Sequence, residues 1–167
     1  MEPFEIQQFF RYNQWANRAI LSAAEKVTPD QFIGASSCSF GSLRGTLVHI
    51  YGAEVVWRMR CDRGISPTAL PNEQDFPDFA TLKNSWEEEM QAMLSYTERL
   101  DAGLPATIQY TNTRGSSFET PLWQILAHLV NHGTQFRSEA GLLLSNWGFS
   151  PGDVDMITFL RQSWPKS

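Results

Sequence analysis

Hydrophobic residues recur every three or four positions along four long segments of the chain, the period of an amphipathic α-helix. In Pro3–Val27 this apolar face consists of Phe9, Tyr12, Trp15, Ala16, Ala19, Ile20 and Ala23. In the segment Ser42–Asp62 it consists of Thr46, His49, Ile50, Ala53, Val56 and Trp57. The same period predicts a third helix over Asp78–Leu100 and a fourth over Pro121–Trp147.

Residues that favour helix ends support these boundaries. Asp78 precedes the third segment and is its predicted N-cap, because a short acidic side chain accepts hydrogen bonds from free backbone amides there. Thr120 and Pro121 predict the start of the fourth helix, with threonine as the N-cap and proline in the first turn. Gly148 is expected just beyond its end, where glycine readily adopts a left-handed backbone.

The connections between these helices contain short elements of their own. Prolines and glycines predict a helical turn over Thr28–Phe32, a loop over Gly34–Gly41 and a long surface connection over Arg63–Pro77. Alternating residues around the turn Asn112–Gly115 predict a β-hairpin over Ala106–Glu119. A short helix is expected over Asp155–Gln162. The fold class is therefore all-α. We expect one domain over residues 1–167, an antiparallel or mixed four-helix bundle with a small hairpin before the last long helix.

Composition narrows the classes of function. The net charge is −5 with no strong Lys/Arg cluster, which argues against nucleic-acid binding. No apolar run approaches the ~18 residues of a membrane span. Met1–Phe10 has two glutamates and no basic stretch, so no signal peptide is expected, and Cys38 and Cys61 form no metal or disulfide motif. We expect a reduced, cytoplasmic protein. On the third predicted helix, an acidic run indicates a solvated face, formed by Glu87, Glu88 and Glu89.

The only three histidines are the main candidates for chemistry. His128 and His132 are four residues apart, so they share one face of the fourth helix, and His49 lies on the second. The face of the fourth helix that is predicted to be buried consists of Ile125, Leu129, His132, Phe136 and Leu143. His128 and Glu139 lie on the flank of this face. One interpretation is that each imidazole hydrogen-bonds a partner in the core. The other is a three-nitrogen metal site with open positions, which suits catalysis better than structure.

Three segments resemble the DinB-like (damage-inducible) four-helix proteins. They are Tyr12–Arg18, Leu43–Glu54 and His128–Glu139, in the order that the family has, and Ser150–Asp155 also fits. The resemblance covers nearly the whole chain. It implies a four-helix bundle in which three histidines hold a divalent metal, commonly nickel or zinc. Relatives include transferases that use low-molecular-weight thiols and a maleylpyruvate isomerase, and many members have no known substrate.

The chain departs from the family pattern at one ligand. The resemblance implies that His49 and His132 are ligands, whereas the third position, four residues after His132, is Phe136. Phenylalanine cannot bind metal. His128, about 6 Å away along the helix axis, is one replacement. A water or Glu139 is another, and loss of the metal is the third alternative.

Two hypotheses of function follow. The first is a metal-dependent transferase or hydrolase that acts on a small molecule through a thiolate or water activated by the metal. Glu54 or Glu139 would then act as base or orient a ligand, unless each is a surface salt-bridge partner; Trp15 and Trp57 are candidate pocket walls. The second is a non-catalytic, stress-related binding or dimer module with a degenerate metal site. A homodimer is expected from the family and from the low charged fraction of 19%.

Overall fold

The helical period of the sequence is confirmed along all four long segments. The computed structural model describes residues 3–100 and 106–163. Its elements are α1 (Pro3–Ala24), α2 (Pro29–Ile33), α3 (Leu43–Arg63), α4 (Phe79–Glu98), β1 (Thr107–Thr111), β2 (Ser117–Pro121), α5 (Leu122–Asn146) and α6 (Met156–Ser163). The expectation of one domain over 1–167 includes residues 1–2, 101–105 and 164–167, which lie outside the described residues.

The four long helices form the predicted bundle. The helix α1 packs mainly against α4 and α5, and α3 packs against the same two, so α1 and α3 occupy opposite corners. The strands β1 and β2 form the antiparallel hairpin before α5, and α6 packs on α1. None of the described helices is both long and apolar enough to cross a membrane.

Most helix ends follow the predicted caps. Asp78 Oδ1 accepts a hydrogen bond from the Thr81 amide at 2.8 Å, which confirms the N-cap of α4. Gly148 has φ +86° and its amide donates to the Ser145 carbonyl at 3.0 Å, while the Phe149 amide donates to the Leu144 carbonyl at 2.9 Å. This pair of bonds is the Schellman arrangement that ends α5.

The predicted start of α5 is wrong by one residue. Thr120 is not the N-cap, because it belongs to β2 and is paired with Ile108 of β1. Pro121 also remains in the strand, paired with Thr107, and occupies the cap position without a side-chain hydrogen bond. The helix begins only at Leu122 because Pro121, the residue before it, is still paired in the hairpin.

The acidic run on α4 is only partly a solvated face. Glu88 is exposed, but Glu89 is 5% exposed and accepts two hydrogen bonds from Arg58, at 2.6 Å from Nε and 2.7 Å from Nη2. The prediction was therefore wrong for Glu89. Its position on α4 faces α3, where the guanidinium of Arg58 compensates for the buried charge.

The apolar core consists of two clusters stacked along the bundle. One surrounds Trp86 and includes Ile20, Ile50 and Phe136, and the other surrounds Tyr96. Buried polar side chains lie at the level where the clusters meet: Asn13, Asn17, Glu54 and Arg137. Buried polar groups are costly unless they are hydrogen-bonded, so this layer needs its own partners.

Candidate functional site

Two of the three predicted histidines meet between α3 and α5. The Nε2 atoms of His49 and His132 are 2.9 Å apart, within hydrogen-bond distance when one nitrogen carries a proton and the other does not. Phe40 stacks on His49 with ring centroids 3.8 Å apart. The ring centroid of Phe136 lies 4.6 Å from that of His49 and 4.7 Å from that of His132. Two phenyl rings therefore pack against the imidazole pair, which is half-buried.

His128 is not part of this pair. Its ring centroid is 5.7 Å from that of His132 and 5.8 Å from that of Trp57, and the residue is exposed. One turn of helix separates it from His132, which directs it toward the hairpin end of the bundle. The structure thus brings together the two histidines that the family resemblance implies as ligands, His49 and His132, and not the i, i+4 pair of His128 and His132.

The environment keeps both paired imidazoles neutral. Burial, with a smaller contribution from the nearby His49, His128 and Arg137, lowers the pKa of His132 to about 4. Burial also lowers the pKa of His49, against an opposing effect of the Glu139 carboxylate. Desolvation lowers the pKa of His128 as well. Neutral imidazole is the form that binds metal, so both rings have the required charge state at neutral pH.

Glu139 positions the loop that covers the pair. Its carboxylate accepts hydrogen bonds from the Ser39 amide at 2.8 Å and from the Ser39 hydroxyl at 2.7 Å. Ser39 precedes Phe40, the residue stacked on His49. The interaction therefore ties the loop to α5, and Glu139 holds Phe40 in place through the backbone; within residues 3–100 and 106–163 it forms no salt bridge.

Glu54 is the centre of a buried hydrogen-bond network and not a surface residue. It is 3% exposed, and its Oε1 accepts from the amides of Asn13 at 2.7 Å and Asn17 at 2.9 Å. Its Oε2 accepts from the Trp86 indole at 2.7 Å. Burial raises the pKa of Glu54, and these hydrogen bonds oppose the rise. The interpretation of Glu54 as a surface salt-bridge partner is wrong.

The same two asparagines connect Glu54 to Arg137. Arg137 Nη1 donates to Asn13 Oδ1 at 2.6 Å and to Asn17 Oδ1 at 2.8 Å, and Nη2 donates to Thr134 Oγ1 at 3.1 Å. Each amide thus uses its oxygen for the cation and its nitrogen for the carboxylate, which fixes its orientation. This network joins all four long helices, and the only sequence sign of it was the i, i+4 spacing of Asn13 and Asn17.

The remaining candidates have structural contacts. Trp15 packs against Tyr12 and Phe159, with its ring centroid 5.6 Å from that of Phe159. Trp57 lies against Tyr110 and beneath the Arg60 guanidinium, 4.6 Å from its ring centroid. Both predicted pocket walls are half-buried. Cys38 and Cys61 are free thiols, and burial raises the pKa of Cys61 to about 12, so it is an inert residue at neutral pH.

The donor set fits a two-histidine site and not a three-histidine site. With metal–nitrogen bonds of about 2.0–2.1 Å, two nitrogens 2.9 Å apart subtend an angle of about 90° at one ion, which suits neighbouring positions of an octahedral site. Phe136 offers only carbon. Among residues 3–100 and 106–163, no group of three His, Cys, Asp or Glu side chains is placed to share an ion.

The fold and the site define a helical-bundle protein whose interior presents a histidine pair from two facing helices. The chain belongs to the DinB family, whose sequence profile matches residues 1–166. It is similar to Protein DinB of Bacillus subtilis (strain 168), with 23% identity over 164 residues that cover 93% of this chain and 95% of the relative. The family resemblance seen in the three segments is thereby confirmed.

Proposed function

We propose that this chain is a metal-dependent enzyme of the DinB family in which His49 and His132 hold one divalent ion, nickel or zinc. The observation that carries the proposal is the convergence of their two Nε2 atoms at 2.9 Å, with both rings kept neutral by burial. Two protein ligands leave several coordination positions for water and for a small-molecule substrate. Such open positions distinguish a catalytic site from a structural one.

A bound divalent ion would supply Lewis acidity and lower the pKa of a water or thiol ligand. The residues of the chain define the surroundings of that chemistry. Phe40 and Phe136 cover part of the imidazole surface, and Glu139 keeps Phe40 stacked on His49 through Ser39. The reaction class we propose is transfer of a small thiol to an electrophile, or hydrolysis, with a low-molecular-weight thiol as cosubstrate for the transfer.

A second candidate function is favoured by Phe136. Its ring contacts both imidazoles at the position of the third ligand, so the pair can exist as a simple hydrogen-bonded core feature. In this case the protein is a non-catalytic binding or dimer module related to stress, with a degenerate metal site. The two candidates differ in whether the native protein binds metal.

Calorimetric titration of chelator-treated protein with Ni²⁺ and with Zn²⁺ separates them. We expect one ion per chain in the parent, loss of binding in His49→Ala and in His132→Ala, and unchanged binding in His128→Ala. The last variant is the matched control, because it removes an imidazole from the same helix outside the pair. No saturable binding by the parent would reject the first candidate in favour of the second, and equal binding by all four proteins would place the ion away from His49 and His132 and reject this site.

We also propose a homodimer in a reducing, cytoplasmic environment. Large apolar side chains remain exposed on the single chain, among them Leu142 at 66% and Phe4 at 65%. Exposed apolar surface commonly marks association sites. Both cysteines are free, as expected where disulfides do not form. Light scattering at increasing concentration tests the dimer, and a constant monomer mass would reject it.

A further inference from the structure

A cavity lies on the side of α5 away from the histidine pair. Its volume is about 510 Å³, within the range of about 300–1,000 Å³ typical of small-molecule sites. It is bounded by α1, by α5 and by the segment that leads into α6. Most of its wall is apolar and includes Phe9, Phe10, Leu126, Val130 and Met156.

A few polar groups interrupt this apolar wall. Asn131, Thr134, Arg137 and Ser138 contribute from α5, so they are grouped on one side of the cavity, and Asp155 contributes from the opposite segment. Asp155 is exposed and its carboxylate accepts a hydrogen bond from the Ile157 amide at 3.0 Å, as a cap of α6. An apolar cavity with one polar side is the arrangement expected for an amphipathic ligand.

Arg137 gives the polar side its charge. It is 2% exposed, and its hydrogen bonds go to neutral oxygens of Asn13, Asn17 and Thr134. Within the described part of the chain, no carboxylate oxygen lies within the 4.0 Å of a salt bridge to its guanidinium. Glu54 is separated from it by the two asparagine amides. A buried cation without direct contact to an anion gains from a carboxylate that reaches it.

We propose that this cavity binds a small amphipathic acid, with its carboxylate at the Arg137, Thr134 and Ser138 side and its apolar body against the phenylalanines of α1. The site is independent of the metal proposal. His132 and Phe136 point from α5 toward α3, whereas Val130, Thr134 and Arg137 point toward α1. Asp155, on the opposite side, disfavours the reverse orientation of the ligand.

The test uses decanoate, below its micelle concentration, and decanamide, which has the same apolar body without the charge. Calorimetry on the full chain should show one decanoate per chain, bound at least tenfold more tightly than decanamide. Changing the ligand instead of Arg137 keeps the buried network intact. Equal affinities would overturn the role of the cation, and no binding of decanoate would overturn the site.

Two substitutions on α5 locate the binding. Ala127 lines the cavity, so Ala127→Trp should fill it and weaken decanoate binding at least tenfold. Gln124→Trp is the matched control, because this residue is exposed on the same helix and does not line the cavity. Circular dichroism verifies that both variants keep the fold. Equal effects of the two tryptophans would place the ligand elsewhere and overturn the proposal.

Two further outcomes are distinguished in the same experiment. The double variant His49→Ala, His132→Ala should bind decanoate like the parent, and loss of binding there would assign the ligand to the histidine site. Light scattering with and without decanoate should give the same mass. If decanoate dissociates a dimer, the apolar face is an interface between copies, and the ligand site is overturned.

Discussion

Gly133 and Arg137 are one turn apart on α5, and the missing side chain of Gly133 makes room for the guanidinium. A Cβ atom at Gly133 would lie 2.5 Å from Arg137 Nη1 and 2.9 Å from Asn13 Oδ1. Both atoms belong to the hydrogen-bond network around Glu54 and cannot move without breaking it. The glycine is therefore required by close packing and not by a special backbone angle.

Gly133→Ala should destabilise the protein by about 1–3 kcal/mol, because overpacking in a filled core outweighs the gain in helix propensity. Gly141→Ala on the same helix is the control. A Cβ there meets its nearest neighbours at 3.5 and 3.6 Å, which is ordinary contact. That variant should be stabilised by about 0.5–1 kcal/mol. Urea unfolding monitored by circular dichroism measures both, and equal signs would contradict the packing argument.

The glutamates of α4 should differ sharply in their contributions. Glu89→Gln weakens a buried two-bond interaction with Arg58 and should cost about 2 kcal/mol. Glu87→Gln removes an exposed pair with Arg18 at 3.1 Å and should cost at most about 0.5 kcal/mol. Thermal unfolding of both variants provides the measurement. A similar loss in the two would mean that the buried pair contributes no more than a surface one.

Acid should unfold the metal-free protein partly through His132. Its pKa is about 4 in the folded state and 6.5 when unfolded, so the unfolded chain binds the extra proton between these values. The corresponding stability is fully present above pH 6.5 and is lost as the pH falls toward 4, on the order of 2–3 kcal/mol. His132→Asn should therefore show a smaller loss over this range in chelator. Parallel pH profiles for the two proteins would refute the assignment.

Restoring the third imidazole should strengthen metal binding. Phe136 contacts both histidines, so Phe136→His places a nitrogen beside the pair with little change in shape. We expect at least tenfold tighter binding of Ni²⁺ or Zn²⁺ than in the parent, and a rise in melting temperature that appears only with metal. His132→Ala should abolish binding in both backgrounds. If Phe136→His weakens a tight parent site, the ligand assignment taken from the family is wrong, and the pair of His128 and His132 is the native arrangement.

The helices were predictable because their signals are local. The hydrophobic period, the Asp78 cap and Gly148 depend on residues within a few positions of one another, and the structure confirms them. The start of α5 was misplaced because Thr120 is held by Ile108 on the other strand of the hairpin. A residue twelve positions away decided the outcome, and no local preference of threonine or proline contains that information.

The candidate site was predictable only in part. The pairing of His49 with His132 was implied by the family resemblance, and the structure places them together, whereas the i, i+4 spacing had pointed to His128 and His132. Asn13, Asn17 and Arg137 were missed as a network because their partners come from distant helices. Glu54 looked like a surface charge for the same reason. A glutamate among apolar positions of a helix signals a buried acceptor only when its donors are known.

Tyr12 and Val154 join distant parts of the chain through a single hydrogen bond, from the tyrosine hydroxyl to the carbonyl at 3.1 Å across 142 positions. Beyond it, the described part of α6 spans Met156–Ser163 and packs on α1 through Phe159. Short elements that pack on the outside of a larger core can open locally at a free energy below that of global unfolding. We therefore expect the amides of α6 to exchange hydrogen well before those of α5. Each such opening uncovers one wall of the cavity, which gives a ligand a route of entry while the four long helices stay folded.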